Sequence, residues 1–131
     1  MTIVTLDEKA REVFEPRAPP IRKRLDALNE IKQAGLKTYA FLGPLLPFFS
    51  EEYLDDLFEK FKEVRVDRVM VDKLDIKSGN WRYIEKALKI KYPDLFEGFK
   101  RKAFSEEYYL QLKTRIDKIA RKYSVRVDFC F

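Results

Sequence analysis

The side chains able to do chemistry are few. The chain has 131 residues, no histidine and one cysteine, Cys130. That inventory excludes a zinc site of cysteines and histidines, a Ser-His-Asp triad, a Cys-His pair and any intrachain disulfide. It also excludes an iron–sulfur cluster held by this chain alone, which needs several thiolates. What remains are hydroxyls, carboxylates and guanidinium groups. Thr5 and Glu8 have capping-box spacing, which explains both without a ligand. A Glu15–Arg24 pair would pin a loop to a helix. Asp72 and Asp75 suit the turn after a strand, and Gly43-Pro44 suits a rigid apolar turn. Cys130 alternates with Phe129 and Phe131, the pattern of a buried, inert thiol. No residue is assigned as catalytic and none as a metal ligand.

These residues must be positioned by short elements. Thr2 to Thr5 is β-branched and reads as a strand, and a short helix follows over Asp7 to Phe14. Pro19-Pro20 opens a second helix, with Ile21, Leu25, Leu28 and Ile31 on one face and Gly35 at its end. Lys37 to Leu42 is the second strand, and Gly43 to Phe49 a stiff apolar loop. Ser50 caps a helix that buries Tyr53, Leu54, Leu57, Phe58 and Phe61. Val66 to Val71 is the third strand and Asp72 to Asn80 a loop. Asn80 caps a helix to about Lys91, with Trp81 packed at its start. Pro93 begins a short helical stretch through Phe99. Ser105 caps the last helix, whose apolar side is Tyr109, Leu112, Ile116, Ile119 and Tyr123. Val125 to Phe131 is the final strand.

Every connection between strands contains a helix, so the strands pair in parallel through right-handed crossovers. The expected fold is α/β: one domain over residues 1–131, with about four parallel strands and flanking helices. Four strands are too few for a closed eight-stranded barrel of about 250 residues, and suit half of one. The chain opens directly on a strand, as a domain cut in the middle would.

Composition narrows the setting. Hydrophobic residues are 46% and charged residues 37%, which is a globular composition. The net charge of +5 permits a weak attraction to nucleic acid without requiring it. The charged runs Arg22-Lys23-Arg24 and Lys100-Arg101-Lys102 read as solvated helix faces. Two asparagines and two glutamines among abundant Lys, Arg and Glu suit a thermophile. The N-terminus lacks the pattern of a signal peptide, and the longest apolar run, Phe41 to Phe49, is too short to span a bilayer. No membrane association and a cytoplasmic location are expected.

Several segments, in order, resemble one family. They are Thr2-Ile3-Val4-Thr5-Leu6-Asp7-Glu8, then Phe14-Glu15-Pro16-Arg17-Ala18-Pro19-Pro20, then Arg24-Leu25-Asp26-Ala27-Leu28, then Ala34-Gly35 before a strand. Gly43-Pro44-Leu45-Leu46-Pro47, the stretch from Asp72 to Trp81, Tyr92-Pro93-Asp94-Leu95 and the strand from Val125 continue the series. Together they look like the C-terminal half of radical S-adenosylmethionine (SAM) enzymes similar to spore photoproduct lyase, the group often labelled DNA repair photolyase. The resemblance implies a (βα) half-barrel and a SAM contact surface. Thr2 would match the position that touches the ribose, with Thr5 close by. Glu15 and Arg24 would match recurrent family positions. Gly43 and Pro44 would form a wall near the methionine or adenine, and Asp72 and Asp75 would meet the adenosine or substrate.

The family's C-x-x-x-C-x-x-C motif is absent, as is the lyase's hydrogen-donor cysteine, and Cys130 stands too far along the chain to replace either. SAM and a 4Fe-4S cluster are therefore expected only with a separate cluster-bearing N-terminal half. The complex would then cleave SAM to a deoxyadenosyl radical, with damaged nucleic acid as a candidate substrate. Two other readings stand beside this one. The chain could be a non-catalytic module that self-associates through open sheet edges as a homodimer or larger. Or Met1 could be an internal start of a longer protein.

Overall fold

Three helix-to-strand turns of one kind set the frame. In the computed structural model, which describes residues 1–77 and 79–131, helix α2 (Ile21–Gln33) leads into β1 (Tyr39–Leu45). Helix α3 (Leu54–Glu63) leads into β2 (Arg68–Lys73), and α6 (Glu106–Tyr123) into β3 (Val127–Phe129). Each helix is followed by a residue of positive φ: Gly35 at 83°, Arg65 at 55° and Ser124 at 55°. The next N–H then reaches back five residues, Leu36 to the Ile31 carbonyl, Val66 to Phe61 and Val125 to Ala120. This is the Schellman motif, which satisfies the last carbonyls of a helix and turns the chain sharply. Only the first turn has the glycine that such a φ favours. Arg65→Gly and Ser124→Gly are each expected to stabilise the fold by about 1 kcal/mol, read as a higher urea midpoint at unchanged slope.

The three strands form one parallel sheet in the order β1-β2-β3. The α/β class, the parallel pairing and the flanking helices therefore agree with the reading of the sequence. The strand at Thr2 to Thr5 does not form as a full strand. Thr2 makes a single parallel bridge to Phe41, with the Ile3 N–H donating to the Phe41 carbonyl and the Phe41 N–H to the Met1 carbonyl. Three strands and one bridge thus replace the expected four. Strand β1 starts two residues later than expected, because the Asp67 carboxylate takes the Thr38 N–H at 2.7 Å. It then runs through Gly43-Pro44, where the register against β2 shifts between Leu42 and Leu45. Strand β3 is shorter than expected, because Val125 is used in the Schellman turn.

Three of the expected caps differ from the reading of the sequence. Helix α1 (Glu8–Phe14) is capped by Asp7, whose carboxylate accepts the Lys9 and Ala10 N–H groups. Thr5 is buried instead and donates its hydroxyl to the Phe49 carbonyl at 2.8 Å. Ser50, also buried, accepts the Leu46 N–H and caps nothing, and a 3-10 turn over Glu51–Tyr53 precedes α3. Asn80 is the first residue of α4 (Asn80–Lys91), and Gly79 is in the cap position. A 3-10 turn over Pro93–Leu95 opens α5 (Phe96–Ala103), which extends beyond the expected end at Phe99. Ser105 does cap α6, accepting the Tyr108 N–H. Ser78, in the expected loop from Asp72 to Asn80, lies outside the described residues.

The helices cover one face of the sheet. Ala40, Leu42, Val69 and Val71 have no exposed surface, and the core continues through Phe58, Phe61, Phe99 and Ile116. The other face is open. The register places Thr2, Phe41, Met70 and Asp128 in one row across it, and Tyr39 beside Arg68 in the row below. Tyr39 keeps 46% of its surface exposed and Met70 37%. Arg68 pairs with Asp128 on this face at 2.9 Å. Parallel sheets are ordinarily covered on both faces. Among the described residues, no helix is long and apolar enough to cross a membrane.

Candidate functional site

In open parallel sheets, ligands bind outside the carboxyl ends of the strands. There, a cavity of about 680 Å³ lies between the end of β2, the end of the chain and the start of α6. Asp72 and Lys73 close β2 and lead into the 74–77 loop, while Cys130 and Phe131 follow β3. The walls mix carboxylates, two lysines (Lys73 and Lys77) and the apolar Phe104, Leu110 and Phe131. Phe104 and Leu110 are 51% and 62% exposed, so this apolar wall faces the opening.

Local hydrogen bonds shape the acidic side. The Asp72 carboxylate accepts the Lys73 N–H, and the Asp75 carboxylate accepts the Lys77 N–H, both at 2.9 Å. The second is an Asx turn, which fixes the loop as it leaves the sheet. Beneath the cavity, the Tyr109 hydroxyl donates to the Leu45 carbonyl at 3.1 Å. Burial pushes this hydroxyl well above the usual tyrosine range, so it stays a proton donor. Lys113 donates to the Phe131 carbonyl and lies over the Phe129 and Phe131 rings, which fixes the chain end against α6.

Gly43 borders this region. A Cβ there would stand 2.8 Å from Phe41 Cζ and 3.3 Å from Asp72 Cβ, so the glycine lets β1 approach the end of β2. Pro44 follows within β1 and is half-buried; neither it nor Gly43 lies in a separate loop. Of the eight residues proposed from the sequence, Asp72 and Asp75 line the cavity and Gly43 stands beside Asp72.

Thr2, Glu15 and Arg24 form a different cluster. Arg24 is 5% exposed, so it is not part of a solvated run as expected. Its guanidinium donates to the Thr2 carbonyl at 2.7 Å, to the Pro19 carbonyl at 3.0 Å, and to the Glu15 carboxylate at 3.4 Å. The cluster ties the N-terminal bridge to the link between α1 and α2. Glu8 supports that link, accepting the Ile21 N–H and the Arg11 guanidinium. The Ile21 N–H and then Arg11 hold its carboxyl below the usual range. Ile31, expected on the buried face of α2, is exposed, and Arg24 is on that face in its place.

Two further expectations change. Cys130 is exposed and lines the cavity: its N–H still bonds the Val71 carbonyl at 2.8 Å, and, two residues after Asp128, the strand alternation gives it the open face and not the buried one. Lys102 leaves its charged run to pair with Glu51 at 2.8 Å, with its ammonium over the Phe48 ring. Trp81 packs edge-on against Phe104 and stacks near Phe99, in agreement with a packing role. Lys73, Lys77, Phe104 and Leu110 escaped the sequence reading. The Ser105 cap was the usable signal, since it fixes where α6 begins above the sheet.

Chemically, the cavity can accept hydrogen bonds from hydroxyl or amino groups and can cover a flat apolar group. The sequence has no histidine to activate Cys130.

No family model matches the chain, and no solved structure matches it. An uncharacterised protein of Acidianus two-tailed virus is 31% identical over 128 aligned residues, covering 90% of this chain and 42% of the relative. An uncharacterised protein of Methanocaldococcus jannaschii is 26% identical over 119 residues, covering 90% of this chain and 44% of the relative. The chain thus spans less than half the length of these curated relatives.

Proposed function

We propose that this chain is the sheet-bearing half of a larger parallel (βα) barrel, related to the second half of the radical SAM barrel of spore photoproduct lyase-like enzymes. The observation that carries the reading is the uncovered face of an all-parallel sheet whose strands follow one another in sequence order. A barrel half has that order, with helices outside and an inner face awaiting the other half. The greater length of the relatives is consistent with such a second half.

The residues of this chain do not fit an iron–sulfur cluster, because one cysteine cannot supply its ligands. The cluster would belong to a cluster-bearing partner half, and no catalytic step is assigned to this chain. SAM, when bound to a complete enzyme of the family, is the source of a deoxyadenosyl radical. The donor set of the cavity suits the nucleoside part: Asp72 and Asp75 would accept from hydroxyl and amino groups. Thr2, Glu15 and Arg24 are given no ligand role in this proposal, since their cluster holds the N-terminal bridge. Damaged nucleic acid as substrate rests on the resemblance and on the +5 charge. A cytoplasmic location belongs to the same reading.

The open face and the edge of β3, which pairs with no further strand among the described residues, also favour a second reading, a non-catalytic module that pairs with itself. One experiment separates the two. The chain is reconstituted anaerobically with iron and sulfide, alone and with the segment of the viral relative that lies outside the aligned region. The half-barrel reading expects no cluster absorbance from the chain alone, and a sedimenting one-to-one complex with cluster absorbance from the mixture. A cluster on the isolated chain sinks the reading. A homodimer that ignores the added segment supports self-association instead.

A further inference from the structure

Helix α4 carries two apolar faces. Ile84 and Leu88 are buried against the core. Tyr83, Ala87 and Ile90, at i, i+4 and i+7, form a second stripe, with Tyr83 48% and Ile90 63% exposed. A surface helix ordinarily needs one such stripe. The Tyr83 hydroxyl donates to the Val13 carbonyl at 3.2 Å, which lays the ring across to α1. Val13 and Pro16 then form the second wall of a groove of about 550 Å³. The pattern is that of a surface that receives the apolar face of another helix.

Charge selects the occupant. Lys9 and Lys91 line the groove, and Lys86 lies beside the stripe on the side opposite Lys91 at helical spacing. None of the three makes an ion pair among the described residues. The acid of the groove, Glu12, is already within 3.6 Å of Arg11. A second copy docking through the same face would bring like charges together. We infer that the α1–α4 groove docks an amphipathic helix of a partner protein, with aspartate and glutamate flanking its apolar stripe. This surface is independent of the open sheet face and of any cofactor.

The test uses a synthetic helical peptide of about 18 residues with leucines at helical spacing and flanking glutamates, and its twin with lysines in place of the glutamates. Fluorescence anisotropy is expected to show saturable binding of the acidic peptide that weakens as salt is raised, and no binding of the basic twin. Ile90→Glu, and the pair Lys86→Glu and Lys91→Glu, are each expected to weaken binding at least about tenfold. Circular dichroism melts should be unchanged, because these side chains are exposed. Equal binding of both peptides, indifference to these variants, or no saturation overturns the inference. So does a homodimer that Ile90→Glu dissociates, which would make the groove a self-contact.

Discussion

Replacing Arg24 with alanine is expected to destabilise the fold by about 3 kcal/mol, read as a lower urea midpoint. The guanidinium is nearly buried, and every hydrogen bond it makes is internal: Thr2 and Pro19 carbonyls and the Glu15 carboxylate. Removing it leaves two carbonyls and a carboxylate without a donor in a place that water reaches poorly. Glu15 is the more exposed partner, at 23% of its side chain, so it recovers some hydration and keeps the loss below the upper range for buried pairs. Glu15→Gln should cost about 1 kcal/mol or less, since the amide oxygen still accepts from Arg24. If Arg24→Ala costs less than Glu15→Gln, the guanidinium is not holding the N-terminal bridge, and its release for a ligand role regains weight.

The two faces of β2 should respond in opposite ways. Val71→Asp is expected to abolish cooperative unfolding. Val71 has no exposed surface, and an unpaired carboxylate there costs as much as the roughly 5–15 kcal/mol that holds a domain together. Met70→Lys, one residue away, is expected to change stability by no more than about 0.5 kcal/mol. Met70 is partly exposed, and its partner across the register is Asp128, which favours a cation. Under the half-barrel proposal, the same Met70→Lys variant should block assembly with the second half, because the lysine would be buried in the barrel interior. Loss of folding in isolated Met70→Lys would show that this face is already covered, and self-association would then be the better account.

The comparison between sequence and structure turns on how far each signal reaches. The apolar spacing of α3 and α6 and the Ser105 cap are local, and the structure has them where the sequence places them. The alternation of strands and helices is local too, and a helical crossover in every connection leaves parallel pairing as the outcome. The positive φ at Gly35 was legible from the glycine, but the same geometry at Arg65 and Ser124 was not. There the requirement comes from the chain having to re-enter the sheet.

Tertiary structure alone decided which polar groups are spent. Thr5 and Ser50 have the residue types of helix caps, yet each bonds a backbone group of the turn after β1. Arg24 sits in a run of three basic residues, and unlike Arg22 and Lys23 it stands three residues from Ile21 and four from Leu28, on the buried face of α2. It is buried because carbonyls from two other segments converge on it. Cys130 stands two residues after Asp128, on the face of the sheet that stays uncovered, and only the register shows which face that is, which leaves the thiol at the cavity. The cavity itself joins residues 72–77, 103–110 and 130–131, segments with no periodicity in common. Periodicity determines which side of an element is apolar. Which buried polar group finds a partner, and which face of a sheet stays uncovered, depend on contacts between distant segments that only the folded chain brings together.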